Sequence, residues 1–422
     1  MDFQPPKGTL DFLPPAGDRL RGVYDGAARL AALYGYRYVE TPVFEATELF
    51  KRTSGETSDV VSKEMYSFTD RGGRSLTLRP EGTAPVMRAY LHDAHTQALP
   101  FKAFYLTEMY RYARPQAGRY REHRQFGIEV FGEPAPGADV EVIAVGNRFL
   151  RELGMSMFHV EVNSIGDESC RPAYRELLVA YFAEHADELR DEHRDRYADN
   201  PLRVLDCKDD ACRAVAAGAP RITDHLCDAC GEHFASVLSG LRREGIEPIV
   251  TPTLVRGLDY YTRTAFEFVS EALSSAQSTL FGGGRYDGLA EALGGPHVPG
   301  VGFGMGLERV LLALDEEGVP PPPGAALDCF VITAAVDVAA RVRAQEVARE
   351  LRSAGLNVDA PFDEARLKHQ FRTADRLGAR FAVVIGEREL TAGTVTVKRL
   401  ADGEERTAVL GDAITWMQED RA

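Results

Sequence analysis

The chain has 422 residues, 44% hydrophobic and 27% charged, and that length predicts two or three domains rather than one core. Its formal charge of −15 excludes a protein that coats nucleic acid by bulk attraction, although it leaves room for a local basic surface. No apolar run reaches the roughly 18 residues of a membrane span, and the MDFQPPKGTLDFLPP start lacks the basic and apolar regions of a secretory leader, so no membrane association and a cytoplasmic location are expected.

In chain order, YRYVETPVF, SLTLRP, FKAFYLTEMYRY and RQFGIEVFG read as strands, with helices between some of them. Strand following strand predicts an α+β unit built on an antiparallel sheet. A polar, helix-rich stretch from about 168 to 247 interrupts that pattern and reads as an inserted subdomain. LVRGLDYYTRTAFEF (254–268) follows, in which alternating Thr264, Phe266 and Phe268 predict a half-buried strand. Its front half carries Arg256, Asp259, Tyr260 and Tyr261, a mixture that strand packing does not ask for and a pocket lined by a sheet does.

Two glycine-rich segments come next, FGGGRYDGL (281–289) and GVGFGMGLERVLLAL (300–314). Neither has the spacing of a dinucleotide fingerprint or a Walker A loop. A tight strand or turn approached closely by other backbone explains glycine there equally well. EEGVPPPPGAALD (316–328) is the clearest boundary, since consecutive prolines cannot continue a helix and form a stiff linker. Beyond it, DCFVITAA, a helix over 338–354, LNVDA, a basic helix over 364–377 and RFAVVIG predict a small α/β domain of about 95 residues with a largely parallel sheet.

Six cysteines in such a chain do not suggest a disulfide scaffold. Cys207, Cys212, Cys227 and Cys230 form a candidate zinc quartet: C-D-A-C is a good half-site, while the first pair is more widely spaced. Ordinary buried thiols are the alternative. Lys102, Arg111, Arg114, Arg119, Arg121 and Arg124 face only Glu108 and Glu122 in their segment, and Arg366, Lys368, Arg372, Arg376 and Arg380 face only Asp375. Either cluster reads as a solvated surface or as a nucleic-acid contact. Without a phosphate loop, a triphosphate can still be held by the planar forks of arginines, for which Arg111, Arg256 and Arg309 are candidates.

These segments together resemble the class II aminoacyl-tRNA synthetases, and among them the histidyl-tRNA synthetase family. GYRYVETPVFE (35–45), with Pro42, is similar to the first class motif, which in the family forms a dimer interface. YLTEMYRYARPQAGRYREHRQFGIEVFG (105–132) resembles the second motif, two strands joined by a basic loop, and GFGMGLERVLLAL (302–314) the third. RGLDYYTRTAFE and GGGRYDGL resemble the two histidine-specific signatures, and LTLRPEGTAPVMRAY the substrate loop.

The resemblance implies a class II antiparallel-sheet catalytic domain over 1–322 with the helical insertion, plus a C-terminal α/β anticodon-binding domain over 327–422. It implies a homodimer that joins L-histidine to ATP with Mg²⁺ and charges tRNA-His. In that reading Arg111 grips the α-phosphate, Arg309 the γ-phosphate, and Arg256 the α-phosphate and the amino-acid carboxylate. Glu81, Thr83 and Gln125 take the ammonium group, while Glu129 and Tyr261 pair the imidazole with Tyr260 beside them. Arg114, Gln116, Arg119 and Arg121 approach the acceptor end of tRNA, Arg114 and Gln116 at its extra 5′ guanylate. Arg372 and Arg376, with Arg380 on the same face if the helix extends that far, follow the backbone near the anticodon. Two rivals share the fold: the non-catalytic, histidine-sensing regulatory subunit of ATP phosphoribosyltransferase, and a pseudo-synthetase that senses tRNA. Both are expected to lack part of the signatures or domains present here.

Overall fold

The computed structural model describes residues 3–54, 60–93, 96–205, 207, 209–256, 260–274, 278–320, 327–334, 338–362 and 366–420. Its contacts divide the chain into two units, Met1–Pro322 and Pro323–Ala422. Of the four linker prolines, Pro321 to Pro323 lie outside the described residues.

The first unit is built on an eight-stranded sheet. Its strands run, edge to edge, Arg37–Tyr38, Phe101–Tyr110, Glu122–Phe131, Gly300–Gly306, Thr279–Arg285, Thr262–Ser270, Phe158–Ser164 and Ile249–Val250. The six central strands pair antiparallel and the two short edge strands parallel to their neighbours. Period-2 alternation sends opposite residues to opposite faces. One face carries Phe126, Ile128, Phe266, Phe268, Phe281, Phe303 and Met305 into the main core. There Phe268 and Phe281 stack at 4.3 Å between ring centroids. The segment YRYVETPVF is not one strand: Thr41 and Pro42 separate Arg37–Tyr38 from Phe44–Ala46, which joins a separate three-stranded sheet. The carbonyls of Thr41 and Pro42 accept instead from the buried guanidinium of Arg79.

Two helices cover the apolar face. Ala16–Leu33 buries Leu20, Val23, Ala27, Leu30 and Ala31 in one stripe, and Gly35, at φ +79°, follows its end. Pro136–Glu152 begins with proline in its first turn and buries Val142, Ile143, Val145, Phe149 and Leu150. It is tied to the sheet by a pair with no exposed surface, Asp139 and Arg285. Burial opposes the charge on Asp139, but His233 and Arg285 hold its carboxyl below the usual range.

The helix-rich insertion is present, but its last helix belongs to the main core. Asp228–Arg243 places Phe234, Val237 and Leu241 in the same cluster as the sheet, and His233 beside Asp139. The cysteine quartet is corrected here. Cys227 and Cys230 lie with Asp167 and Cys170, while Cys207 and Cys212 lie with His193, so the four do not converge on one point. Cys212 lies in the helix Asp210–Ala217 and Cys230 in Asp228–Arg243, and the fold draws in donors from outside the quartet.

The second unit has a five-stranded sheet in the order Val358–Asp359, Cys329–Thr333, Phe381–Ile385, Val395–Arg399, Glu405–Ala408. The first three strands are parallel; the last two form an antiparallel hairpin, so the sheet is mixed rather than largely parallel. Helices Val338–Ser353, Leu367–Arg376 and Leu410–Glu419 pack on it. Arg380 does not share a helix face with Arg372 and Arg376. The helix stops at Arg376, Gly378 takes φ +66°, and Arg380 pairs with Asp328 and Asp420.

Candidate active site

The face of the large sheet opposite the main core carries polar side chains over a floor of glycines. Across the strands, Glu129 is level with Gly302 and Gly284, and Gly127 with Tyr105, Gly304 and Gly282. The glycines make room for functional groups. A Cβ at Gly302 would lie 2.1 Å from Glu129 Oε2, one at Gly304 2.5 Å from the Gln125 amide, one at Gly284 2.9 Å from the Tyr261 ring, and one at Gly282 2.5 Å from an Arg256 nitrogen. At Gly283, where the Gly302 carbonyl would be 2.1 Å away, and at Gly284, where the Thr264 carbonyl would be 2.5 Å away, backbone is the nearest obstacle.

Glu129 has no exposed surface. It accepts from the Thr83 hydroxyl at 2.7 Å, the Tyr105 hydroxyl at 3.5 Å and the Tyr286 hydroxyl. Burial pushes its pKa up to about 8 despite those donors. Gln125 accepts from Tyr105 at 3.2 Å. Glu81 caps the helix Thr83–Asp93, accepting from the backbone N–H of Thr83 at 2.6 Å and of Ala84 at 3.0 Å. Burial raises its pKa, against those amides and the charge of Arg111. Tyr260 and Tyr261 pack at 4.8 Å between centroids, and both rings meet Tyr286 edge-on. Burial raises the pKa of all four phenols, Tyr105, Tyr260, Tyr261 and Tyr286, so each stays an O–H donor. The result is a buried cluster of two acids, an amide and several phenols, suited to a small polar molecule with both donors and acceptors.

A cationic zone adjoins it. Arg111 donates to the Pro80 carbonyl at 2.7 Å, beside the Glu81 cap. Arg309, in the first turn of Leu307–Glu316, donates to the Thr279 carbonyl at 2.6 Å and the Gly118 carbonyl at 3.3 Å. Burial, together with Arg119 and Arg111, lowers its pKa. His123 is pushed down to about 3 by burial and by Arg111, Arg309, Arg124 and Arg119, and so remains neutral. Arg256 lies 5.8 Å from the centre of the Tyr261 ring and pairs with Glu267, which also accepts from Thr279 at 2.9 Å. Converging guanidiniums of this kind, held by carbonyls, form a site for an anion with several oxygens.

The loop between Tyr110 and Glu122 crosses this zone. Gln116 and Arg119 exchange backbone hydrogen bonds around Gly118, at φ +69°. Arg114, Gln116 and Arg119 are exposed, Arg119 pairs with Glu64 at 2.5 Å, and Arg121 covers the Tyr112 ring at 3.8 Å. Two members of the basic cluster are structural: Lys102 pairs with Glu141 at 2.7 Å and Arg124 with Glu308 at 3.2 Å. Arg372 and Arg376 are exposed on their helix in the second unit. Asp259 lies outside the described residues.

The sequence alone assigned no role to Tyr105, Tyr286, His123 or Glu267, although all four stand in quoted motifs. The available signal was the pairing of bulk with glycine: a Cβ at Gly127 would lie 2.0 Å from the Tyr105 ring, and one at Gly300 2.3 Å from the Tyr286 ring.

Residues 8–168 and 176–310 match the family described as histidyl-tRNA synthetase, and residues 328–420 the family described as anticodon binding domain. The histidine–tRNA ligase of Moorella thermoacetica is 48% identical over 415 residues, covering 98% of this chain and 97% of that protein. The crystal structure of the apo histidyl-tRNA synthetase of S. aureus superposes with a TM-score of 0.81 at 36% identity, covering 99% of this chain and all of that one. A Bacillus halodurans structure described as an ATP phosphoribosyltransferase regulatory subunit/histidyl-tRNA synthetase shares the fold, with a TM-score of 0.65 at 24% identity. Full-length likeness to the ligases, C-terminal domain included, disfavours the regulatory-subunit reading, and no helix among the described residues is long and apolar enough to cross a membrane. The chain belongs to the histidyl-tRNA synthetase family and is an aminoacyl-tRNA ligase.

Proposed function

We propose that the buried pocket around Glu129 takes L-histidine, that the arginine zone takes ATP, and that the protein works as a cytoplasmic homodimer charging tRNA-His. The observation that carries this reading is the meeting of the two zones at Glu81 and Arg111: Glu81 faces the pocket, and Arg111 lies close enough to lower its pKa.

In the first step a histidine carboxylate oxygen attacks the α-phosphorus and pyrophosphate leaves, so two anions must approach. Arg111 and Arg256 flank the α-phosphate and Arg309 the γ-phosphate, their positive charges fixed beforehand by carbonyls and by Glu267. Glu81, Thr83 and Gln125 orient the ammonium group, and Glu129 with Tyr261 pairs the two imidazole nitrogens, with Tyr260 as a wall. A pocket that satisfies both nitrogens rejects side chains that lack them.

Mg²⁺ fits as the counter-ion of ATP. Among the described residues, groups of three or more His, Cys, Asp and Glu able to share one metal occur only in the insertion and at its ends, and Glu267, Glu64 and Glu308 are each paired with an arginine. When bound, the ion would neutralise negative charge on the phosphates.

In the second step the terminal ribose hydroxyl of tRNA attacks the activated carbonyl and AMP leaves. Arg114, Gln116, Arg119 and Arg121 contact the acceptor end, and Arg372 and Arg376 the phosphates near the anticodon. The dimer reading is supported by apolar side chains left in solvent around the first motif: Tyr38 at 53% exposure, Val43 at 41%, Phe44 at 51% and Phe68 at 45%. The test of the reading is charging of a tRNA-His transcript with labelled histidine. Histidylation that weakens when the extra 5′ guanylate is removed supports it; a folded protein that charges no transcript overturns it.

A further inference from the structure

Four side chains outside the histidine and ATP zones converge where the insertion leaves and rejoins the first unit. Asp167 and Cys170 follow the strand Phe158–Ser164, and Cys170 immediately precedes the helix Arg171–Glu184. Cys227 occupies the same position before the helix Asp228–Arg243, and Cys230 lies in that helix's first turn. One carboxylate oxygen and three sulfurs all fall within 4.8 Å of one another. Asp167 Oδ1 is 3.7 Å from Cys170 Sγ and 3.9 Å from Cys227 Sγ.

Those separations are close to the edges of a metal tetrahedron. With Zn–S near 2.3 Å and Zn–O near 2.1 Å, the sulfur–sulfur edge is about 3.8 Å and the sulfur–oxygen edge about 3.6 Å. The widest pair needs to close by at most about 1 Å. We propose that Asp167, Cys170, Cys227 and Cys230 form a closed, structural zinc site that clamps the two ends of the insertion together.

The surroundings suit that role. Cys170 and Cys230 are buried and Cys227 is half-buried, and none is in a disulfide. Burial, with Asp167, Cys227 and Cys170 close by, pushes the Cys230 thiol up. Three thiolates and a carboxylate leave the complex with excess negative charge. Arg263, 3.4 Å from Asp167 Oδ2, offsets part of it. Arg263 also fixes the turn by backbone bonds, donating to Gly166 O at 2.7 Å and accepting from Ile165 N at 2.7 Å. It stands two residues after Tyr261, so the clamp also steadies the base of the histidine pocket. All four positions are filled by protein, which marks the site as structural rather than catalytic. It differs from the quartet suggested by spacing, because Cys207 and Cys212 group with His193 elsewhere in the insertion.

The test uses full-length protein purified under reducing conditions from zinc-supplemented medium. Metal analysis should find about one zinc or more per chain in the wild type, about one fewer in Cys227→Ser/Cys230→Ser, and no loss from this site in Cys207→Ser/Cys212→Ser. Should the first variant fail to fold, alkylation of native wild type with peptide mapping gives the same answer: Cys227 should react several-fold faster once a chelator is added. Less than about half an equivalent of zinc in the wild type, or Cys227 alkylated at the same rate with and without chelator, overturns the site.

Discussion

The Thr83 hydroxyl donates a 2.7 Å hydrogen bond to Glu129, joining the first turn of a helix to the middle of the large sheet. Thr83 also donates its backbone N–H to Glu81 at 2.6 Å, so the two acids are coupled through a single residue. The amino group and the side chain of one substrate can thus be read by one rigid unit.

Replacing Glu129 by Gln keeps the shape and removes the titratable carboxyl. Histidine KM in pyrophosphate exchange is expected to rise about 10-fold, the scale of one lost hydrogen bond, with ATP KM little changed. The variant also changes the pH dependence of stability. Burial raises Glu129 from 4.5 to about 8, so the folded protein keeps a proton that the unfolded chain has released. The Glu129 contribution is therefore most favourable below pH 4.5 and is lost as pH rises towards 8. Urea midpoints measured from pH 5 to 8 should fall with pH in the wild type relative to Glu129→Gln; parallel curves would remove the buried charge from the account.

The glycine floor yields a contrasting pair. At Gly304 the three atoms nearest to a methyl group all belong to the Gln125 side chain, whereas at Gly302 the Ile128 carbonyl would lie 2.3 Å away. Gly304→Ala should fold with a near-normal melting temperature and lose histidine-dependent exchange. Gly302→Ala should lower the melting temperature by several degrees, reflecting a cost of about 1–3 kcal/mol for overpacking. Equal stability of the two variants would contradict the packing described.

Adenylate formation and tRNA charging should separate at the loop over the arginine zone. Arg114→Ala and Gln116→Ala leave the pocket and the three arginines in place, so exchange should be unchanged while kcat/KM for tRNA falls. A loss of about 10-fold for each corresponds to roughly 1.4 kcal/mol of contact. A parallel fall in exchange would instead place these residues in the ATP site.

The exposed apolar group around the first motif predicts a partner. Phe44 and Phe68 pack edge-to-face at 6.3 Å on the surface. Phe44→Glu combined with Phe68→Glu should shift the sedimentation coefficient from dimer to monomer. A monomeric wild type would refute the dimer.

The alternation of Phe126, Ile128, Phe266 and Phe268 made the large sheet legible, because one apolar face forces period 2. The site side chains were legible only through their motifs. Nothing local to Glu129 distinguishes a buried acid from an edge-strand charge until Gly302 is placed beside it. The cysteine grouping was not legible, since spacing along the chain does not say which half-sites meet and the partners Asp167, Cys170 and His193 lie far off in sequence. The end of the helix before Arg380 was signalled by Gly378, but the four-residue arginine spacing outweighed it. The hairpin of the second unit went unread because only Val395 and Val397 are buried in it and most of its other residues are polar.

Arg256 connects the Tyr261 ring, Glu267 and the strand floor at Gly282, and on this account it is the charge that lets the histidine carboxylate meet the α-phosphate. The most direct measurement is ATP–pyrophosphate exchange with and without histidine, for wild type and Arg256→Ala, with circular dichroism confirming that both are folded. The account predicts exchange only with histidine, and a loss of about 10²–10⁴ in Arg256→Ala. No histidine-dependent exchange from folded wild type, or exchange undiminished in Arg256→Ala, would contradict it.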